Sequence, residues 1–306
     1  LNVEIKWPDG LIHNKTVYAD GIIEITKPAG NGPEITGYDL PPEVKEDSQM
    51  KVTVNARSGD SQISDYRWDL DSDNRFDMIT EGDSIDITFH QSGLKHIRCR
   101  VTDENDLARD IYPIIIEVPN EDPVINLKGR IVEMDSSFSL PGDLITDTPS
   151  DLANISWIID WGDGNIEEGT GPIWPSHIYS EPGSFPLSVE AFDESSSASD
   201  MVEIEVLNVD PWGYVKPAGG NDTVYYEDQR VELLPIVFDT ESDTGEMSIR
   251  WDYGDGDIQD YWTDMKTFYH WYQENGIYKP KAYVKDQYGG LGVLEGVVNI
   301  TNKKPE

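Results

Sequence analysis

Hydrophobic and polar residues alternate in short segments along most of the chain. The clearest segments are KVTVNA (51–56), LKHIRCRVTD (94–103), FPLSVEAFD (185–193), MVEIEV (201–206) and YKPKAYVKD (278–286). A period of two places successive side chains on opposite faces of a β-strand, whereas a helix needs a period near 3.6. No segment carries a clear helical stripe. The pattern therefore predicts short antiparallel strands throughout.

The strands belong to a repeat. WDYGDGD at 251–257 recurs as IDWGDGN at 159–165 and, in altered form, as WDLDSDNRFD at 68–77, so the period is 91 and then 92 residues. Each copy continues with an aromatic residue, a glycine four positions later and an aspartate ten positions after that glycine. A fixed period of this length indicates tandem units of one fold. The three aspartates are Asp103, Asp193 and Asp286.

Asparagine–proline linkers punctuate the copies, with NGP at 31–33, NEDP at 120–123, NVDP at 208–211 and NKKP at 302–305. Units of about 100 residues are the size of an immunoglobulin-like sandwich. We therefore predict an all-β chain of tandem sandwiches. The predicted segments are 1–30 as closing strands of a preceding domain, 33–119, 123–207 and 211–301 as three sandwiches, and 302–306 as a linker to a further domain.

The motifs WDYGDG (251–256), DWGDG (160–164), HIY (177–179) and HWY (270–272), with the glycine-to-aspartate spacing, resemble the polycystic kidney disease (PKD) domain, an immunoglobulin-like β-sandwich. The resemblance covers about residues 33–301. The first copy departs from the pattern, because Asp71, Ser72 and Asp73 replace the glycine turn and Phe89 replaces the corner tyrosine. A hydrogen bond from a tyrosine hydroxyl across the corner is therefore not expected in that copy.

The resemblance implies a non-catalytic role. PKD domains resemble spacer, adhesion and binding modules of extracellular cell-surface and surface-layer proteins, and they also accompany secreted hydrolases. Two functions stay open on this basis. One is a structural region that contacts neighbouring copies or other surface proteins; the other is a polysaccharide-binding accessory region. The full-length sequence would discriminate between them.

The charge narrows the partners. The chain carries 59 acidic and 23 basic residues, for a net charge of −36, and residues 120–209 contain only Lys128 and Arg130 as Lys or Arg. Such a field repels nucleic acids and anionic membranes and attracts counter-cations. We therefore predict no nucleic-acid partner and no membrane insertion of this fragment, and a solvated acidic surface with or without specific divalent-ion sites.

The acids of the two glycine turns have a structural explanation. An aspartate can accept hydrogen bonds from backbone N–H groups two residues later, while glycine supplies the positive φ. Asp160, Asp163, Asp252 and Asp255 are accordingly interpreted as turn residues.

The first copy is different, because Asp69, Asp71, Asp73 and Asp77 occupy positions 1, 3, 5 and 9 of a frame like that of an EF-hand. The frame is incomplete, with Asn74 at the usual glycine and Thr80 at the usual bidentate glutamate. Two readings stay open, a calcium site and a polar turn whose charge Arg75 offsets. Calcium is the one cofactor predicted.

No catalytic or organic cofactor-binding residues are predicted. His177 and His270 belong to the corner motif, and His13, His90 and His96 stand without a recurring cysteine, serine or carboxylate partner. Cys99, the one cysteine, aligns with Val189 and Ala282 and is expected to be a small buried strand residue.

Two surface features bear on the choice of function. N-x-[ST] sequons at Asn14, Asn154, Asn221 and Asn299 give weak support for an exported glycoprotein. Aromatic residues concentrated in the third copy could form a stacking platform for sugars, or could pack in the core and corner. They are Trp212, Tyr225, Tyr226, Tyr261, Trp262, Trp271 and Tyr272.

Overall fold

The computed structural model describes residues 2–16, 25–172, 175–220 and 223–302. Within these ranges the chain is almost entirely β-structure, and the one α-helix is the single turn α1 (Pro149–Leu152). The all-β fold class of immunoglobulin-like sandwiches predicted from the alternating pattern is confirmed. The period of two is thus expressed as strands wherever it was clearest.

The first unit forms two sheets, with orders β1-β2-β9-β8-β5-β6 and β3-β4-β7. Its strands are β1 (Asn2–Lys6), β2 (Ile12–Thr16), β3 (Glu34–Asp39), β4 (Gln49–Arg57), β5 (Ile63–Asp69), β6 (Met78–Thr80), β7 (Ser84–Thr88), β8 (Gly93–Asp103) and β9 (Leu107–Val118).

The second unit contains a five-stranded sheet, β11-β18-β17-β14-β15, and two short strand pairs, β10-β13 and β12-β16. The strands are β10 (Val124–Ile125), β11 (Arg130–Glu133), β12 (Ser137–Ser139), β13 (Ile145–Thr146), β14 (Ser156–Asp160), β15 (Ile166–Thr170), β16 (Ser176–Ile178), β17 (Gly183–Phe192) and β18 (Ser197–Leu207).

The third unit has sheets in the orders β23-β22-β26-β27-β19-β21-β24 and β20-β28-β25. The strands are β19 (Trp212–Pro217), β20 (Tyr225–Tyr226), β21 (Arg230–Phe238), β22 (Ser248–Asp252), β23 (Thr263–Asp264), β24 (Phe268–Trp271), β25 (Gly276–Tyr278), β26 (Lys281–Lys285), β27 (Leu291–Glu295) and β28 (Val298–Thr301).

The same four-stranded order recurs in every unit, as β9-β8-β5-β6, β18-β17-β14-β15 and β27-β26-β22-β23. In each case an antiparallel hairpin is extended by the strand that precedes the acidic turn. The repeat found in the sequence is therefore a repeat of strand order. The predicted domain boundaries stay predictions, and the units are named here by their strands.

Each unit has its own hydrophobic core. The three cores are formed by residues between Met50 and Val118, between Leu127 and Val206, and between Val215 and Ile300. Their centres are alternating residues of the segments LKHIRCRVTD, FPLSVEAFD and YKPKAYVKD. All of these side chains are fully enclosed: Ile97, Cys99, Val101, Leu187, Val189, Ala191, Ala282 and Val284. Cys99 is a free buried thiol, which confirms its structural reading.

The β1–β2 hairpin joins the first unit. Ile12 and His13 pair with Ala108 and Leu107 of β9, and Ile12 is fully buried. Pairing of this segment with the first full repeat is thus observed for residues 2–16. Whether the segment closes a preceding domain stays a prediction, and residues 17–24 lie outside the described ranges.

Candidate metal sites and contacts between units

The glycine turns carry the backbone contacts expected of turn residues. Asp160 Oδ1 accepts a hydrogen bond from Gly162 N at 2.9 Å, and Asp252 Oδ1 accepts the equivalent bond from Gly254 N at 2.9 Å. Gly162 has φ of +81°, and a Cβ there would lie 2.7 Å from the carbonyl oxygen of Pro186. Both the conformation and the close approach require glycine.

The second acid of each turn holds the corner histidine. Asp163 Oδ2 lies 2.7 Å from His177 Nε2, and Asp255 Oδ2 lies 2.6 Å from His270 Nε2. Burial raises the pKa of Asp163, but the hydrogen bond from His177 and those from Asn165 outweigh it and leave the pKa below the usual value. These acids act within the fold, as the sequence interpretation proposed.

A tyrosine closes each corner. Tyr179 donates its hydroxyl to Trp161 O at 3.0 Å, and Tyr272 donates to Tyr253 O at 3.1 Å. Both tyrosine side chains are buried, and the histidine ring packs edge-on against each of them with centroids 4.7 Å apart. Phe89 of the first unit has no hydroxyl, so this bond is specific to the second and third units.

The loop from Asp69 to Asp77 brings three of its four acids together. Asp69, Asp71 and Asp77 each offer one carboxylate oxygen, and these oxygens lie within 4.8 Å of one another. Asp69 is 1% exposed, and its Oδ1 has no hydrogen-bond partner. Asp73 is not in the group and instead accepts from Arg75 N at 2.7 Å.

Other contacts in this loop favour the polar-turn reading. Asp69 Oδ2 accepts from Asn74 N at 3.1 Å and pairs with Arg98 Nη2 at 3.2 Å. Asp77 Oδ2 accepts from Leu70 N at 2.7 Å. The guanidinium that offsets Asp69 is therefore Arg98 on the neighbouring strand β8, a partner that local spacing could not identify. Calcium binding by this loop stays a prediction.

A more enclosed group of acids lies in the third unit. One oxygen from each of Asp239, Asp243 and Asp286 lies within 4.8 Å of the others. Asp243 has no solvent exposure and neither of its carboxylate oxygens has a hydrogen-bond partner. Asn208 donates to Asp286 at 2.8 Å, which leaves its own amide oxygen buried and unpartnered. We call these four residues the third-unit cage.

The third-unit cage is an oxygen-only set, which suits a hard cation such as calcium. Burial raises the pKa of Asp243, and the negative charge of Asp286 raises it further. A buried carboxylate without a partner costs free energy unless it is protonated or meets a cation. The residues present therefore fit a calcium ion.

The third-unit cage was not predicted from the sequence, although a signal for it exists there. DTPSD at 147–151 and DTESD at 239–243 are in-phase copies of one motif. The second unit also has the linker asparagine Asn120, and the third has Asn208. In the second unit the corresponding amide donates to Asp193 at 3.0 Å, and oxygens of Asn120 and Asp147 are again unpartnered. Only the fold reveals that linker, motif and turn meet.

The DT-x-SD motif also contacts the preceding unit. Ser150 donates its N–H and its hydroxyl to Asp47 Oδ2 at 2.8 and 2.6 Å. Ser242 donates its N–H and hydroxyl to the two carboxylate oxygens of Asp135 at 2.8 and 2.6 Å. We call this the junction contact.

The two acceptors of the junction contact occupy the same turn. Asp47 and Asp135 have φ of 54° and 57°, and their N–H groups donate to the carbonyls of Phe89 and Tyr179. Asp228 of the third unit has φ of 58° and donates to Tyr272 O in the same way. One acceptor turn is thus present in all three units.

The aromatic residues of the third unit divide between core and surface. Tyr225 and Tyr272 are buried, whereas Trp212, Tyr261 and Trp271 are more than half exposed. Trp212 lies opposite Phe238 in the β19–β21 pair, with ring centroids 6.2 Å apart. Neither the core reading nor the surface reading holds for the whole set.

The sequons also differ in position. Asn154 and Asn299 are exposed, Asn14 is half-buried in β2, and Asn221 lies outside the described residues. No helix in the described part of the chain has the length and apolar character needed to cross a bilayer.

Strings of immunoglobulin-like sandwiches are the class of protein that these sheets define, and the family comparison identifies the unit. Residues 131–206 match the family model of the PKD domain. The second unit thus matches the PKD family, and the resemblance to PKD-type domains recognised in the sequence is confirmed. Such domains are typical non-catalytic modules of extracellular proteins.

Solved structures of multidomain proteins were also found. The FN1–FN3 domains of chicken CNTN1 share 15% identity over 88% of this chain and 100% of theirs, with a TM-score of 0.25. Extracellular domains 3–5 of Drosophila OTK share 15% over 90% and 99%, with a TM-score of 0.31. The ICAM-5 D1–D4 fragment shares 12% over 87% and 77%, with a TM-score of 0.35. No curated protein matches the chain.

Proposed function

We propose that this chain is a non-catalytic spacer and adhesion region of an extracellular cell-surface or surface-layer protein. The junction contact carries the proposal, because Asp47–Ser150 and Asp135–Ser242 join successive units through the same pair of elements. A contact that repeats with the unit period sets a constant relation between neighbours. That is the property a spacer needs.

Small-angle scattering of the 306-residue chain tests this. A single compact globule of that length would have a radius of gyration of about 19 Å. An extended string is expected to exceed this value clearly. Loss of the junction contact in a Ser150→Ala, Ser242→Ala double variant is expected to broaden the distance distribution, whereas Ser199→Ala, at an exposed serine of β18, serves as a control. A radius near that of the compact globule would contradict the spacer role.

Calcium stabilisation belongs to this proposal. The loop at Asp69, Asp71, Asp73 and Asp77 and the third-unit cage are both oxygen-rich, and a bound cation would remove the repulsion among their carboxylates. The cage has the stronger support, because its central carboxylate is fully buried without a partner, whereas Arg98 already offsets Asp69. Isothermal titration calorimetry of the calcium-free chain with calcium would measure the number of calcium sites.

The partners of such a region would be neighbouring copies or other surface proteins. Glycosylation at the exposed Asn154 and Asn299 would agree with an extracellular location, and mass spectrometry of the native protein before and after enzymatic deglycosylation would test it. Full-length native material is needed for this test.

Polysaccharide binding is the second candidate, and one observation favours it. Trp212, Tyr214 and Phe238 are 51%, 47% and 48% exposed, and their strand positions place them on one face of the third unit. Exposed rings on a sheet can stack on sugars. A glycan array should show binding that Trp212→Ala removes and Tyr261→Ala, also exposed but outside this face, retains. If no glycan binds, the polysaccharide-binding candidate is wrong and the spacer role stands without it.

A further inference from the structure

Three carboxylates from two different units converge at the first junction. They are Glu46, which precedes β4 in the first unit, and Asp151 and Glu194 of the second unit. One oxygen from each lies within 4.8 Å of the others. Glu194 Oε1 also accepts from the hydroxyl of Ser92 at 3.1 Å, so the group sits inside the contact between the units.

Glu46 is the unusual member of this group. It is 3% exposed, and neither of its carboxylate oxygens has a hydrogen-bond partner. A buried charge of this kind is rare unless it is paired or coordinates a metal. The carboxylate therefore points to a missing partner.

The nearby basic groups are engaged elsewhere. His90 Nδ1 lies 2.5 Å from Asp47 Oδ1, and Lys95 donates to the carbonyl of Ser92 at 2.9 Å. Lys45, beside Glu46 in the chain, pairs with Glu43 at 3.0 Å. Asp147 and Asp193 add further negative charge around the group. The first junction is therefore negatively charged, and none of these three basic side chains pairs with Glu46.

We propose that Glu46, Asp151 and Glu194 bind a divalent cation of the calcium type and that this cation clamps the first unit to the second. This proposal goes beyond the spacer role. It does not depend on the third-unit cage, because all three proposed ligands lie in the first and second units.

The geometry suits such an ion. Calcium takes six to eight oxygen ligands at about 2.3–2.6 Å, and oxygens separated by less than twice that distance can share one ion. A cleft of about 760 Å³ between the units opens beside the group and is lined by residues such as His90, Lys95, Ser150 and Phe192. The cleft gives a route for the ion and room for water ligands.

The surroundings of Glu46 are unfavourable for its negative charge. Burial, together with the charges of Asp151, Glu194 and Asp47, raises its pKa to about 7.

The second junction provides an internal comparison. The residue before the acceptor turn is Glu46 in the first unit and Met134 in the second, and Met134 is buried in the apolar core. The second unit therefore offers no carboxylate at the matching place. A cation clamp that needs Glu46 should act at the first junction and not at the second.

Pulsed electron paramagnetic resonance of the complete chain tests this. Spin labels at the exposed positions 51 and 190 report on the first junction, and labels at 190 and 285 report on the second. Cys99 can remain, because it is fully buried and burial raises the pKa of its thiol. Distances would be measured in chelator and in excess calcium at one ionic strength. Glu46→Gln is the test variant, and Glu81→Gln, at an exposed acid of the first unit, is the charge-matched control.

Calcium is expected to narrow the 51–190 distance distribution in the wild type and in Glu81→Gln, and to leave it unchanged in Glu46→Gln. The 190–285 distribution should respond equally in all three proteins. Both variants should unfold in chelator at or above the wild-type temperature, since each removes a negative charge. If Glu46→Gln narrows as the wild type does, or if the wild type does not respond, the cation clamp is overturned.

Discussion

Asp47 accepts two hydrogen bonds from Ser150, a residue of the next unit, through a single carboxylate oxygen. Its other oxygen contacts His90 of its own unit. The Asp47 carboxylate thus joins the acceptor turn of the first unit to the α1 turn of the second unit. Asp135 and Ser242 repeat the relationship one period later.

The titration of Asp47 should report on this contact. The hydroxyl hydrogen bond from Ser150, the contact with His90 and the Ser150 N–H hold the pKa of Asp47 at about 2. Because the folded pKa is below the unfolded value, the contact contributes stability above about pH 4, which is lost as the pH falls toward 2. Ser150→Ala should raise the pKa of Asp47 toward 3.8, measured by carboxyl NMR. An unchanged pKa would show that the Ser150 hydroxyl does not bond Asp47 in solution.

The third-unit cage makes a prediction of opposite sign. Burial and then the charge of Asp286 raise the pKa of Asp243 in the folded state above its value in the unfolded chain. Without calcium, the third unit should therefore lose stability as the pH rises above about 3.8. Asp243→Asn should raise the unfolding temperature in chelator and abolish the increase caused by calcium. At calcium 100-fold above the dissociation constant, that increase corresponds to about 2.7 kcal/mol for one site.

Thermal unfolding in chelator and in calcium measures both effects. Asp264→Asn, an exposed acid of the same unit, is the control and should keep the calcium response. If the two variants respond alike, calcium acts by screening the acidic surface and the cage does not bind it.

The loop at Asp69 to Asp77 allows a sharper test than its sequence spacing did. Both Asp71 and Asp73 accept a hydrogen bond from a backbone N–H two residues later, but only Asp71 belongs to the convergent group. If the loop binds calcium, Asp71→Asn should abolish the calcium-dependent stabilisation of the first unit and Asp73→Asn should reduce it less. Differential scanning calorimetry of the complete chain would resolve this. Equal responses of both variants and wild type would leave only turn chemistry.

The features that could be predicted from sequence are those with a local signature. Alternation marked Ile97, Cys99 and Val101 as buried because strand faces repeat every second residue, and the HIY motif marked the Tyr179 corner. The cage leaves only a partial signature, the in-phase DT-x-SD motif and the linker asparagine, and the cation clamp leaves none. Asn208, Asp243 and Asp286 are far apart in the chain, and Glu46 meets Asp151 only because two units stack.

The corner hydrogen bond should contribute measurably to the second and third units. Tyr179→Phe removes the hydroxyl that bonds Trp161 O inside the fold, which should cost about 1 kcal/mol. Tyr272→Phe should have a similar effect on the third unit. Urea unfolding of the chain checks both. Tyr269→Phe, at an exposed hydroxyl beside the corner, is the control and should cost less.

The two glycines of the DWGDG turn should tolerate alanine unequally. Gly162 and Gly164 both have positive φ, +81° and +97°, so alanine at either position should cost about 1–2 kcal/mol of backbone strain. At Gly162 the new Cβ would also lie 2.7 Å from Pro186 O, whereas no atom lies within 4 Å of a Cβ at Gly164. Gly162→Ala should therefore lower the unfolding free energy more than Gly164→Ala, as measured by urea titration. The same order is expected for Gly254 and Gly256, because a Cβ at Gly254 would lie 2.8 Å from Lys279 O. Equal losses in each pair would mean that the adjoining strand moves aside and that only the positive φ selects glycine in this turn.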